Sequence, residues 1–193
     1  MIRPRTLILF APALLIAVLV GTYLVSLPRA VQRAHRSPCV LLRVDHPKLD
    51  RQPGSLVFTD LDGKPYPISK LRGRLVLMNF WLTTCQPCLE ELPSLLELIN
   101  RYGTRGMMLV MVSADKKEKT VRAFLDKMPR LRRLTSAAVI LRDPGGAIAK
   151  KLGTTKYPET YLIRPDGRWG GRVLGARRWT DRAITACLTT RLP

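Results

Sequence analysis

Acid is scarce in this 193-residue chain: 14 Asp+Glu stand against 33 Lys+Arg, a formal net charge of +19. Such a balance suits nucleic acid, an anionic membrane surface or acidic partners, and composition does not choose among them. Histidine is scarcer still, with two in the chain, His35 and His46, and none beyond. Four cysteines do not make a disulfide-dense scaffold. Neither Pro (15) nor Gly (13) is frequent enough for a collagenous or low-complexity chain, and 46% hydrophobic residues argue against disorder. The sequence shows no internal repeat, and its length fits one domain plus an appendage. A mean hydropathy of +0.00 averages an apolar N-terminal part with a polar remainder.

Leu7 to Leu27 reads LILFAPALLIAVLVGTYLVSL, 21 residues without a charge. As a helix rising about 1.5 Å per residue, this is long enough to cross a hydrocarbon core of about 30 Å. The alternative is a cleavable signal peptide, whose apolar core is usually about 7–15 residues. The exit Ser26-Leu27-Pro28-Arg29-Ala30 lacks a convincing small-x-small cleavage site, so an uncleaved transmembrane anchor is expected. Arg3 and Arg5 precede it and Arg29, Arg33 and Arg36 follow, leaving orientation a near tie by charge. Cys39 follows Arg36-Ser37-Pro38, which is unlike the approach to a lipidated cysteine. The expected organisation is a basic flank over 1–6, an anchor over 7–27, a tether over 28–52 and a folded domain over 53–193.

From residue 53 the pattern is mixed α/β. Ser55 to Asp60 and Tyr66 to Ile68 read as strands about a turn at Asp62-Gly63. Leu75 to Leu82 is a nearly continuous apolar run, as in a central strand buried on both faces. Leu89, Leu92, Leu95, Leu96 and Ile99 follow at helical spacing, then a strand over Met107 to Ser113 and a helix over Lys116 to Met128. Ala138 to Leu141, Ala147 to Leu152, Thr160 to Ile163, Trp169 to Leu174 and Thr180 to Leu188 continue as strand, helix, strand, strand, helix. Cys187 shares a helical face with Ile184 and Leu188 and reads as a buried small hydrophobe. A Cys39–Cys187 disulfide is the alternative in an oxidising compartment.

Cys85-Gln86-Pro87-Cys88 falls at a strand-to-helix junction. Two cysteines three apart close a small disulfide without reorganising the backbone. A helix starting at Cys85 places that sulfur among unpaired N–H groups and at the positive end of the dipole, which favours a thiolate. Pro87 suits a first helical turn. Cys88, one turn in, is placed to resolve a mixed disulfide. The competing readings are half of a zinc site and a plain structural disulfide. Zinc takes about four ligands, and Cys39, Cys187, His35 and His46 offer no second short-spaced pair. No metal and no cofactor are expected. A C-x-x-C near a βαβ pattern is a thioredoxin-like redox signal.

The segment Asn79-Phe80-Trp81-Leu82-Thr83-Thr84-Cys85-Gln86-Pro87-Cys88 resembles the active-site segment of thioredoxin-fold proteins. More closely, the chain resembles the membrane-anchored TlpA/ResA-type family of extracytoplasmic disulfide reductases, which includes the cytochrome c maturation thioredoxins. The likeness runs from about residue 53 to 190. It is carried by Leu61-Asp62-Gly63-Lys64, Leu71-Arg72-Gly73-Arg74-Leu75-Val76 and Glu91-Leu92-Pro93, then by Arg142-Asp143-Pro144-Gly145-Gly146, Gly153 to Pro158, Pro158 to Ile163 and Pro165-Asp166-Gly167. It implies a thioredoxin fold, a central mixed sheet flanked by helices with an N-terminal strand extension, here preceded by one transmembrane helix.

By that resemblance Cys85 attacks and Cys88 resolves, and the two form a redox-active disulfide. Glu91 relays protons and tunes the pair; its alternative is a favourable carboxylate in a helix's first turn. Pro158 is a cis-proline facing the disulfide, and Tyr157 the residue whose backbone meets the substrate. Trp81 borders the site, with core packing as its alternative. Two positions depart from the pattern: Asn79 stands where many thioredoxins bury an Asp, and Thr84 where a Trp often precedes the first cysteine.

The resemblance implies a thiol–disulfide oxidoreductase on the bacterial inner membrane facing the periplasm, reducing protein disulfides, with apocytochrome c leading among substrates. Its partners are a protein disulfide, a membrane or periplasmic thiol donor, and the membrane itself through 7–27. The alternatives are an oxidase or isomerase on the same fold and a Cu(I) metallochaperone, since soft thiolates select Cu(I). A peroxidase is disfavoured because Leu82 occupies the threonine position of that family's Thr-x-x-Cys. From residue 53, 25 Lys+Arg against 12 Asp+Glu leave +13 on the domain. The basic clusters match no nucleic-acid motif and have little aromatic interleaving, so no nucleic-acid partner is expected.

Overall fold

The computed structural model describes residues 15–23, 39, 44–45, 52–132 and 136–193. One seven-stranded sheet organises the domain, in the order β2-β1-β5-β4-β3-β6-β7. The strands are β1 (Val57–Thr59), β2 (Pro65–Pro67), β3 (Leu75–Trp81), β4 (Met107–Ser113), β5 (Ala138–Arg142), β6 (Glu159–Ile163) and β7 (Trp169–Leu174). The helices are α1 (Gln86–Tyr102), α2 (Glu118–Asp126), α3 (Pro129–Arg132), α4 (Ala147–Lys151) and α5 (Arg182–Thr189). Strands β3, β4 and β5 run parallel, joined by helical crossovers, while on the other side of β3 strand β6 pairs antiparallel with β3 and β7 antiparallel with β6.

The period of two in the central strands divides the core. Leu75, Leu77 and Trp81 of β3, with Met107, Leu109 and Met111 of β4, join one buried cluster with α1, α2 and α5. Val76, Met78 and Phe80, with Met108, Val110 and Val112, join the other, which takes in Phe58, Ile68, Leu71 and Ala149. All seven residues of both strands are buried, which is why they read as continuous apolar runs. Asn79 falls in the parity of Leu77 and Trp81, so it faces α1.

Strand β2 starts and ends with proline, which an edge strand tolerates because one row of its N–H groups is unpaired. Ile68, expected in that strand, instead opens a 3-10 turn over Ile68–Leu71. The β1–β2 turn is built on Asp60, whose carboxylate accepts from the Asp62 and Lys64 backbone N–H groups at 2.9 and 2.8 Å. Gly63 there has φ 79°, a left-handed conformation that an L side chain resists. The last helix begins at Arg182 rather than Thr180, and the short α3 was not anticipated from the sequence.

The expected transmembrane helix requires correction. Among the described residues no helix is long and apolar enough to cross a membrane. Residues 15–23 are helical, with Leu15, Ile16, Val18, Leu19 and Val20 exposed. Nine residues rise only about 14 Å, less than half of a hydrocarbon core of about 30 Å. The remainder of the expected span, 7–14 and 24–27, lies outside the described residues, as does most of the expected tether over 28–52. The expectations built on that helix fall with it: membrane tethering, the inner membrane as partner and a single-pass location.

Two described points of the segment before residue 52 dock on the domain. Asp45 and Arg172 of β7 exchange both backbone hydrogen bonds, at 2.7 and 2.6 Å, and pair through their side chains at 2.6 Å. Cys39 is disulfide-bonded to Cys187, which is 0% exposed. Cys187 is therefore the buried residue its helical face suggested, and it is bonded as well.

Candidate active site

The segment leaving β3 is pinned before it reaches the cysteines. Asp115, just past β4, accepts from the Thr83 backbone N–H at 3.0 Å, the Thr83 hydroxyl at 2.9 Å and the Ser113 hydroxyl at 2.9 Å. Cys85 then caps α1 with extended backbone, and Pro87 occupies the first helical turn, where no N–H is missed. The helix thus starts one residue later than expected, with the sulfur at its cap. Cys85 and Cys88 are joined in a disulfide, and the Cys88 backbone N–H donates to Cys85 Sγ at 3.3 Å. Cys85 is half-buried whereas Cys88 is 4% exposed, so solvent reaches the first sulfur far more readily.

Glu91 lies three residues beyond Cys88, on the same face of α1, and is 2% exposed. Three donors converge on its carboxylate. Asn79 Nδ2 donates to Oε1 at 2.8 Å, and Trp179 Nε1 and the Arg177 backbone N–H donate to Oε2 at 2.9 and 3.1 Å. Asn79 Nδ2 also donates to Thr160 Oγ1 on β6 at 3.0 Å. Burial pushes the Glu91 carboxyl above the usual carboxylate range, against the three hydrogen bonds and the Arg177 charge, which pull it down. Ser94 fixes the loop that brings Trp179 in, accepting from the Trp179 backbone N–H at 3.0 Å and donating to the Glu91 carbonyl at 2.7 Å. A groove of about 520 Å³ reaches Glu91, lined also by Glu90, Pro93, Glu97, Arg177 and Arg178.

The Tyr157–Pro158 bond is cis, and the Pro158 carbonyl accepts from the Gly175 backbone N–H at 3.0 Å, linking the proline loop to the end of β7. Tyr157 is half-buried, and burial with the charges of Asp143 and Glu159 raises its phenol. Its hydroxyl reaches Gly146, where a Cβ would come within 2.6 Å of that oxygen. Beside the proline, Glu159 is buried and stands 3.3 Å from Arg172, the residue that also holds Asp45. Trp81 is 1% exposed, its ring centroid 5.2 Å from that of Phe124. Cys85, Cys88, Trp81 and Tyr157 all belong to or pack against one core cluster. Sequence pattern marks none of Asp115, Arg177 and Trp179 as a site residue, the last two reading only as part of a basic cluster, because their partners lie 32, 86 and 88 residues away.

Among the described residues no group of three or more His, Cys, Asp or Glu is placed to hold a metal ion. Two sulfurs differing in access, with a buried carboxylate one turn below, are equipped for thiol–disulfide exchange: one sulfur to attack, one to resolve, one group to carry a proton.

The family model described as AhpC/TSA matches residues 49–168. The thiol-disulfide oxidoreductase ResA of Bacillus thuringiensis subsp. konkukian is 31% identical over 121 residues, covering 63% of this chain and 66% of that protein. The protein of the same name from Bacillus cereus is 30% identical over 128 residues, covering 66% and 70%. The thioredoxin domain of a thiol-disulfide oxidoreductase from Bacteroides vulgatus superposes with a TM-score of 0.58 at 18% identity, covering 77% of this chain and all of that one, a likeness of fold. The chain belongs to the AhpC/TSA family and, within it, to the ResA-type thioredoxin-like proteins, and it is a thiol–disulfide oxidoreductase.

Proposed function

We propose that Cys85 and Cys88 reduce disulfides of protein substrates by way of a mixed disulfide at Cys85. The Cys85 thiolate attacks one sulfur of the target, a Cys85–target bond forms, and the other target sulfur leaves as a thiolate that takes a proton from solvent. Cys88 then gives its proton to Glu91, and its thiolate attacks Cys85 Sγ. The second target sulfur leaves and takes the proton back from Glu91. Two electrons pass to the target, and the pair is left as its disulfide. The carrying observation is the pairing of a half-buried Cys85 at the helix cap with a buried Cys88 one turn inside. Pro158 and the Tyr157 backbone are proposed to border the substrate, with Trp81 supporting them from the core.

The reducing direction has a physical basis. A strong oxidant stabilises its reduced form, whereas a buried carboxylate one turn from Cys88 opposes thiolate there. A reduction potential near the thioredoxin value of about −270 mV is expected, and one above about −150 mV would reverse the direction. The direct test is trapping with Cys88→Ser in cells. Adducts that depend on Cys85 and are released by reductant are expected; their absence would overturn the exchange mechanism.

A further inference from the structure

The two oxygens of Glu91 are not equivalent. Oε2 meets the Trp179 indole N–H and the Arg177 backbone N–H, neither of which accepts a hydrogen bond. A proton on Oε2 would point at two donors. Among the described residues Oε1 meets only the side-chain amide of Asn79, which carries a donor on one atom and an acceptor on the other. The same amide donates to the hydroxyl of Thr160, and a hydroxyl serves equally as donor or acceptor. Turning the amide half a revolution exchanges Nδ2 and Oδ1 with almost no change of shape. In that orientation Oδ1 accepts from a protonated Oε1 and from the Thr160 hydroxyl. Glu91 Oε1 and the Thr160 hydroxyl then stay paired in both charge states of a carboxyl that is 2% exposed, where an unpaired polar atom costs about 1–3 kcal/mol.

We propose that Asn79 and Thr160 form an amide switch that places the Glu91 proton on Oε1 and turns each time that proton is loaded or released. This deepens the reading of Glu91 as proton relay and rests on it. Asn79 and Thr160 are positioning residues, acting through Glu91 rather than on sulfur. The switch also accounts for the amide at 79. An aspartate there would set a second carboxylate against Oε1 at about 2.8 Å and, when ionised, would have no proton to donate. Among the described residues, the charged and titratable groups facing Glu91 are Cys88 one turn before it on α1, Arg177 on the loop after β7, and Glu90, Glu97 and Arg178, which line the groove with it.

The test is a titration of the full-length oxidised protein by NMR, following the Glu91 side-chain carbon and the Asn79 side-chain amide together. A common midpoint above the ordinary carboxylate value is expected. So is reversal of the contacts between the Asn79 NH₂ protons and Thr160. In Glu91→Gln, which mimics the protonated acid, the Asn79 amide should be locked in the turned orientation at every pH. Asn79→Leu should slow the Cys88 resolving step about tenfold and shift its pH midpoint, leaving alkylation of reduced Cys85 unchanged. If Glu91→Gln leaves the pH profile of exchange unaltered, the relay reading itself fails. If Glu91→Gln alters that profile but the Asn79 amide does not titrate with Glu91, the switch alone is overturned. The NMR arm uses the unsubstituted protein, so it decides the matter even where Asn79→Leu fails to fold.

Discussion

At the scale of single residues, burial and hydrogen bonding pull Glu91 in opposite directions, and burial wins. A carboxyl that holds its proton more firmly in the folded than in the unfolded chain gives stability that is fully present below its unfolded pKa. That stability is lost as pH rises through the folded value. Glutamine at 91 carries no titrating proton, and its side-chain oxygen still accepts from Trp179 and Arg177. The stability of Glu91→Gln relative to the unsubstituted protein should therefore increase as pH rises from about 4 through the raised folded value. Urea midpoints at several pH values measure the difference, and a flat one would show that the carboxyl titrates alike in both states. Glu159 shares the upward shift but is common to both proteins and cancels. The Cys85–Cys88 pair was legible in the sequence because its spacing is local, whereas the cis bond at Pro158 was legible only through the family resemblance. The partners of Glu91 were not: Arg177 and Trp179 are 86 and 88 residues away, and a tryptophan in a basic stretch announces no carboxylate.

At the scale of elements, the buried strands were the most legible part. β4 has the expected bounds and β3 stops one residue short, since apolar runs leave no other place for their side chains, and the edge strand β7 also has the expected bounds. Ends were less so, because caps and edges decide them. Cys85 is outside α1 because its side chain caps the helix, and Ile68 leaves β2 because Pro67 closes that strand. Proximity of Cys39 and Cys187, 148 residues apart, is a tertiary fact that no local pattern carries. That bond joins the segment before the domain to α5, the helix that follows the Trp179 loop. Cys39→Ser is expected to lower unfolding free energy by about 2–4 kcal/mol, measured in urea under oxidising conditions. Exchange at Cys85 should proceed, because α5 carries none of the donors to Glu91. Loss of exchange in a variant that remains folded would show that the staple also shapes the site.

At the scale of the whole molecule, charge is the dominant property. With +13 on the part that carries the site, an acidic protein disulfide is expected to be drawn in from a distance. Attraction between exposed charges fades beyond a Debye length of about 10 Å at 0.1 M salt. The rate of exchange with an acidic protein disulfide should fall about tenfold between roughly 10 mM and 300 mM salt, while that with a basic one stays level or rises. Stopped-flow kinetics on both substrates decides this, and equal salt dependence would mean the charge serves something other than substrate encounter.

The bond between Cys39 and Cys187 also changes what a broken chain amounts to. The bridge turns residues 39 to 187 into a closed ring, with the catalytic pair riding on its circumference. A protease that cuts the ring once opens it without dividing the molecule, and the two pieces stay joined until the bond between half-buried Cys39 and fully buried Cys187 is reduced. A thiol–disulfide oxidoreductase thus keeps its own covalent integrity in a second disulfide, one of whose sulfurs is fully buried.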